Sequence, residues 1–498
     1  MLYICNSNIS QNFQLMAFAF IVDLPTSVFI LLLICLLAVC FFEAINGFHD
    51  TANAVATVIY TNSLKPQVAV IWSGFCNFLG AFLGPAFIVW LILSLFGAGG
   101  DSPYSNIGVA MGILKLVPQN DLINLAIGEN VAFVLAILIA AIIWNLGTWY
   151  LGIPSSSSHT LIGALLGAGF ALWSVHGGAG PGWHKATEIG LSLLISPVFG
   201  FSLTILMMYM LKTMVRKNKK LFEEPAKKKA PPAWIRAILI STCTLVSFFH
   251  GSNDGQKGVG LLLVVLMAFL PMQFAINQNI TSEQIKTAVT AINTTLDQQA
   301  TTGEHPEIIT AIRGTSVKMA AQADTLDRNN RDEVYILRKS LQSYVKNTDG
   351  QLKLAGLPKE STKAIESELK KIKLAYEFAP TWAIFLISFC LGIGTMIGWK
   401  RIVVTIGEKI GKSHLSYAQG ASAELCAAVT IGLSTAYSLP VSTTHVLSSG
   451  IAGSMVASGG IKNLQRGTIK SIALAWVLTL PVSFVLAALL FYLFRLIF

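Results

Sequence analysis

The sequence is poor in charge. Only 12% of its 498 residues are Asp, Glu, Lys or Arg, against about 25% in an average soluble domain. That excludes a water-soluble globule. Cysteine pairing is also missing: Cys5, Cys35, Cys40, Cys76, Cys243, Cys390 and Cys426 show no paired spacing. A disulfide scaffold is excluded, and most of these residues, lying in apolar segments, read as small hydrophobes. H-E-x-x-H, C-x-x-C and G-x-x-x-x-G-K-[ST] do not occur, which argues against a zincin, a zinc ribbon and a P-loop ATPase. Ser158 beside His159 on one turn is not by itself a nucleophile–base arrangement, so no enzyme is read. Residues 1–24 hold no Lys or Arg. That suits a non-cytoplasmic N-terminus and argues against a cleaved signal peptide, which needs a basic n-region.

Apolar residues fill the gap. The hydrophobic share is 53% and mean hydropathy is +0.63. Several apolar runs reach the roughly 20 residues that span a bilayer. The chain reads as an all-α polytopic membrane protein. Its net charge of +10 reads as basic cytoplasmic loops rather than as a nucleic-acid surface.

Two stretches organise it: Gly47-Phe48-His49-Asp50-Thr51-Ala52-Asn53-Ala54 and Gly251-Ser252-Asn253-Asp254-Gly255-Gln256-Lys257-Gly258. Each follows an apolar run and puts a carboxylate at membrane depth, where an ionisable group is a functional candidate by default. Their glycines (Gly47, Gly251, Gly255, Gly258) predict helices that open and expose backbone to a solute. Duplicated broken segments point to a transporter's site.

The rest of the order also repeats. A helix from Pro25 carries the first motif to Tyr60, and a second runs to Phe96. Gly97–Gly128 is placed outside. Arms Val131–Gly152 and Leu161–Trp173 flank the polar turn Pro154–His159. They read as a re-entrant hairpin, though two full crossings also fit the lengths. A helix over Glu188–Leu211 closes the first half. The second half has its motif helix (Trp234–Phe274), a helix (Thr381–Gly398), a basic loop (Lys400, Arg401, Lys409, Lys412), a hairpin (Ala418–Met455) and a closing helix (Ile469–Phe494).

Asp254 follows Asp50 by 204 residues, but His445 follows His159 by 286. The second half has gained about 82 residues between motif and hairpin, and the polar segment 277–377 accounts for them. Its spacing (Val334, Leu337, Leu341, Tyr344; Ile365, Leu369, Ile372) predicts a small helical extramembrane domain. The resulting division is a tail (1–24), a first repeat (25–211), a basic linker (212–236) and a second repeat (237–276 and 378–498) interrupted by the insert (277–377). The linker carries Lys212, Arg216, Lys217, Lys219, Lys220, Lys227, Lys228, Lys229 and Arg236 with three prolines. It reads as cytoplasmic and flexible. The N-terminus then lies outside and the first half crosses an odd number of times. The second half is inverted, and the insert and C-terminus lie outside. This is an inverted-repeat plan with its site at the midplane.

Four elements converge there. The tips supply Ser156, Ser157, Ser158, Ser442, Thr443 and Thr444 as donors. Helix N-termini behind them add N–H groups and a positive dipole end. Such a cluster suits a tetrahedral oxyanion. Asp50, Asn53, Asn253 and Asp254 suit the hard cation that accompanies it. For His159 and His445, tip hydrogen bonding is favoured over proton relay. The residues alone thus argue for cation-coupled anion uptake. An enzyme is the competing class and a passive channel a third option, told apart because a channel neither saturates at low rate nor moves substrate uphill.

At these residues the chain resembles the inorganic phosphate transporter (Pit) family. The Gly47–Ala54 and His250–Gly260 segments match its duplicated signature. Pro154–His159 and Pro440–His445 match its P-x-S-[ST]-[ST]-H tips. Glu43-Ala44-Ile45-Asn46 matches its bacterial branch. The resemblance implies phosphate uptake by symport, with protons as coupling ion. It also implies a neutral divalent metal–phosphate complex as substrate, with Mg2+ as an example of the cation. Sodium-coupled phosphate or sulfate symport is the alternative. Sodium-coupled members carry Asn where this chain has His49 and Lys257, so these two, with Asp50, Asp254 and Glu43, are the expected coupling residues. No resident cofactor or metal is expected, and no nucleic-acid partner. The partners are the bilayer, phosphate, H+ and the divalent cation, with a homodimer open. The implied location is a bacterial inner membrane.

Overall fold

Long apolar runs in lipid must satisfy their backbone internally, and a helix does so within one segment. The computed structural model describes residues 24–84, 107–178, 180–215, 219–225, 229–299, 306–325, 330–397, 400, 402–403, 405 and 409–498. Among them the architecture is helical throughout, with one isolated bridge between Gly411 and Leu464. The N-terminal tail, the end of the second helix at Phe96, Arg401, and Arg216, Lys217, Lys227 and Lys228 of the linker lie outside the described residues.

The first half holds α1 (Thr26–Tyr60), α2 (Pro66–Leu83), the short α3 (Gly108–Leu114) and α4 (Gln119–Asn124), α5 (Ile127–Tyr150), α6 (Ser157–His176) and α7 (Trp183–Met214). The second holds α8 (Ala233–Phe269), a turn α9 (Pro271–Phe274), the insert helices α10 (Ser282–Gln299), α11 (Pro306–Thr325), α12 (Arg331–Leu352) and α13 (Lys359–Lys373), then α14 (Thr381–Thr395), α15 (Tyr417–Ala436), α16 (Thr443–Gly459) and α17 (Arg466–Arg495). Seven described helices are long and apolar enough to cross a membrane: α1, α2, α5, α6, α7, α8 and α17.

The motif helices are not broken. Helix α1 runs 35 residues and α8 runs 37 without interruption through their motifs. The expected opening at glycine does not occur because these glycines serve helix contact instead. A Cβ at Gly47 would strike the Leu391 and Thr395 backbone on α14; one at Gly251 would strike Asn77 on α2. The linker is also shorter than expected. Helix α7 extends past Lys212, α8 starts at Ala233, and Lys219–Phe222 forms a 3₁₀ turn that buries Leu221.

Equivalent residues make equivalent contacts across the halves. Ala44 on α1 meets Gly394 on α14, and Phe248 on α8 meets Gly80 on α2. Both pairs of partners keep the offsets shown by Gly47–Leu391 and Gly251–Asn77. Each half's second helix thus packs on the other half's motif helix. The hairpins exchange in the same way. Gly163 and Gly167 of α6 lie against Leu480 and Phe484 of α17; Gly450 and Gly453 of α16 lie against Thr204 and Phe201 of α7. The motif helices run antiparallel: Gly258 approaches Glu43, His250 approaches Asp50, and Glu424 joins Thr242 to Thr57.

A separate compact unit comprises Leu266–Ala379 with Gln119–Leu125, wider than the expected 277–377. Its amphipathic helices bury Ile285, Val289, Ile292, Leu337, Leu341, Ile365, Leu369 and Ile372, at the spacing a one-sided helix requires. Arg338 is fully buried in it. The guanidinium donates to the carbonyls of Ala275 and Tyr376 and, over 2.7 Å, to Gln119 Oε1. Burial pushes its pKa down to about 10, so it remains a cation at neutral pH.

Candidate functional site

Asp50 and Asp254 are buried on facing turns of α1 and α8, and the hairpin tips reach Asp50 directly and Asp254 through Lys257. The tip geometry follows from capping. Ser156 Oγ accepts from His159 N–H and Ser442 Oγ from His445 N–H, each over 3.2 Å. These serines start α6 and α16 as N-caps, so their hydroxyls are spent on the helix ends. The next residues are left to face inward.

Asp50 gathers them. Thr444 donates to its Oδ1 over 2.7 Å and Ser157 to its Oδ2 over 3.2 Å. Asn53 Nδ2 donates to Thr444 Oγ1 over 3.0 Å. His49 Nδ1 lies 3.4 Å from Oδ1, and His49 Nε2 lies 3.3 Å from both Thr148 and Ser155 hydroxyls. Asp254 has a different neighbour. Lys257 Nζ donates to its Oδ1 over 2.7 Å, to Ser158 Oγ over 2.5 Å and to Val441 O over 2.7 Å. The spacing of three within one helix brings this pair together. Ser158 donates in turn to Val441 O over 2.9 Å, so the two tips are joined. Asn253 is used structurally: it donates to Thr435 Oγ1 and Leu439 O and accepts from Val441 N–H, holding the second tip.

The expected residues therefore meet, though in unequal roles. Glu43 stands two turns before Asp50, buried, with Asn46 donating to Oε1 over 3.3 Å and Oε2 unpartnered. The tip imidazoles of His159 and His445 are 4.5 Å apart, and His445 stacks on Trp476. Several buried polar atoms of this cluster have no hydrogen-bond partner in the protein: Asn53 Oδ1, Asp254 Oδ2, Thr443 Oγ1, His159 Nδ1 and His445 Nε2. Buried polar atoms are rarely left so. They form the set a polar solute would engage.

His250 was missed. Its Nε2 lies 3.6 Å from Asp50 Oδ2 and 3.7 Å from Asp254 Oδ2, and its Nδ1 lies 3.0 Å from Asn77 Oδ1. Asp50, His250 and Asp254 each offer a ligand atom within 4.8 Å of the others. Two carboxylates and an imidazole are donors a divalent cation accepts. One signal was available: His250 precedes Asp254 by four residues, so both lie on one helix face.

The profile of the phosphate transporter family matches residues 46–487 of the chain. The low-affinity inorganic phosphate transporter PitA of Escherichia coli K12 is 38% identical over 511 residues, covering 95% of this chain and 97% of that protein. PitB of the same strain is 39% identical, covering 92% and 95%. A probable low-affinity inorganic phosphate transporter of Bacillus subtilis is 30% identical, covering 94% and 98%. Among solved structures, a sodium-dependent phosphate transporter aligns with a TM-score of 0.50 at 20% identity, covering 94% of this chain and all of that one. The last likeness bears on the fold.

Proposed function

Since the chain belongs to the phosphate transporter family, we propose that it is a secondary active symporter for inorganic phosphate, driven by protons. Its substrate is a neutral complex of phosphate with a divalent cation such as Mg2+. It sits in a bacterial inner membrane with both termini outside. Its halves are inverted repeats, as the antiparallel motif helices and exchanged contacts support. The hairpins stop in mid-membrane, since their tips meet beside the buried carboxylates.

The observation that carries proton coupling is the placing of Lys257. Its ammonium has three oxygen acceptors at 2.5–2.7 Å. Asp254 thus has a built-in counter-ion where a bound sodium would otherwise balance it. Asp50 has none, only the imidazoles of His49 and His250. Imidazole is the side chain best suited to exchanging a proton under physiological conditions. The cation of the complex then lies among Asp50, His250 and Asp254, and the phosphate oxygens meet the tip hydroxyls.

The test is radiolabelled phosphate uptake into proteoliposomes, with the proton gradient, sodium and magnesium varied separately. Uptake should saturate, rise with an inward proton gradient, need magnesium and ignore sodium. Arsenate should compete; sulfate, which has no proton at neutral pH, should not. Sodium-stimulated uptake that ignores a protonophore overturns the reading.

A further inference from the structure

One buried carboxyl lies apart from the cluster at Asp50. Glu424 is on α15, the first arm of the second hairpin, and is fully buried. Its Oε1 meets the Thr57 hydroxyl on α1, and its Oε2 lies 2.5 Å from the Thr242 hydroxyl on α8. It therefore ties together both motif helices and a hairpin arm. Thr57 is seven residues beyond Asp50, about 10 Å along the axis at 1.5 Å per residue. Thr242 is eight residues before His250. Both are displaced toward the same end, where α1 finishes and α8 begins at the basic linker.

Nothing nearby balances a charge there. Among the described residues Glu424 contacts no Lys, Arg or His. The titratable group that faces it is the Cys243 thiol on α8; the Thr57 and Thr242 hydroxyls are its other polar neighbours. The hydrogen count points the same way. Thr242 Oγ1 also lies 3.1 Å from Leu239 O and has one proton to give. If that proton goes to Leu239, the 2.5 Å contact needs a proton on Glu424. Thr57 then donates to Oε1, Oε2–H donates to Thr242, and every group is satisfied once. An ionised carboxylate in this dry place would keep an unpaired charge.

We propose that Glu424 carries the transported proton on the linker side of the site, neutral while the hairpin is docked on α1 and α8. Loss of that proton weakens the three-way contact and lets the empty hairpin return. The proposal rests on the proton-symport reading. The neutral form travels with phosphate bound; the empty carrier returns after the proton has left. Nothing is transferred but the proton, from Oε2 to water on the linker side.

Glu424→Gln mimics the neutral form permanently. In proteoliposomes it should still exchange external for internal phosphate but should lose uphill accumulation under a proton gradient, with no net rise in internal phosphate. Glu424→Asp keeps a carboxyl and should keep accumulation. Thr242→Val, which removes one partner, should shift the pH profile of accumulation. Gradient-driven accumulation by Glu424→Gln overturns the proposal while leaving proton symport intact. Loss of exchange as well as accumulation makes Glu424 structural and also overturns it, as does an unshifted profile in Thr242→Val. If the unmutated protein ignores the proton gradient, the symport reading itself fails and takes this proposal with it.

Discussion

Asp50 and Asp254 occupy equivalent places in the two motifs, yet their surroundings differ in kind. Asp254 has a permanent cation, Lys257, on its own helix. Asp50 has two hydroxyls from two different hairpins and two imidazoles. One half carries its charge balance within itself; the other draws its partners from elements that can separate. The two halves thus share a matched frame of contacts, and His49 and Lys257 make its chemistry asymmetric. The frame is visible in the paired contacts Ala44–Gly394 and Phe248–Gly80.

Removing the carboxylates should sharpen that contrast most. Asp50→Asn keeps an acceptor for one of the Thr444 and Ser157 hydroxyls but loses the charge that faces the imidazoles, so uptake should fall by roughly 100-fold or more, the equivalent of about 3 kcal/mol. Its thermal midpoint in detergent should change little. Asp254→Asn should abolish uptake too, but it also strands Lys257, a loss of about 3–5 kcal/mol for a buried charge. Equal midpoints in the two purified variants would break the comparison.

The converse change comes next. Lys257→Asn leaves Asp254 uncompensated and should destabilise by a similar ~3–5 kcal/mol. Combined with His49→Asn, it should make uptake insensitive to a protonophore, and added sodium should then stimulate it. Continued protonophore sensitivity in the double variant would show that the coupled proton reaches Glu424 without His49.

The tips should give a graded series in phosphate KM. Thr444→Val removes the 2.7 Å bond to Asp50 and should raise KM about 10-fold or more, the equivalent of ~1.5 kcal/mol. Ser157→Ala, with its longer 3.2 Å bond, should do less. Thr443→Ala removes a hydroxyl with no protein partner, so its effect reports substrate contact alone. An unchanged KM across all three moves phosphate away from the tips.

The smallest effects should fall on the frame, and they should be equal. Gly80→Ala and Gly394→Ala each force a methyl against backbone of a motif helix. Each should lower stability by about 1–3 kcal/mol, the usual cost of overpacking. A large difference between their melting shifts would show that the two halves are not packed alike.

Much of this is legible in the sequence alone. The scarcity of charge placed the chain in a membrane. The repeated G-x-[H/N]-D and Pro-to-His tips marked segments that the fold brings together, and the helical spacing of 277–377 foretold the buried faces of α10–α13. Lys257 and Asp254 could be paired because three residues on a helix is a local relation. The broken helices were the main error. Glycine signals a place where backbone approaches something, but sequence does not say whether that is a solute or another helix.

What the sequence by itself determined is therefore what short-range chemistry carries: class, the paired motifs and the i, i+3 ion pair. Only the tertiary structure decided the rest. It kept α1 and α8 continuous, because α14 and α2 lie where a solute was expected. It brought His250 to Asp50 across 200 residues, Thr444 to Asp50 across 394 and Glu424 to Thr57 across 367. Such contacts leave no periodic trace in either partner, because each depends on how separate helices cross rather than on the spacing within one.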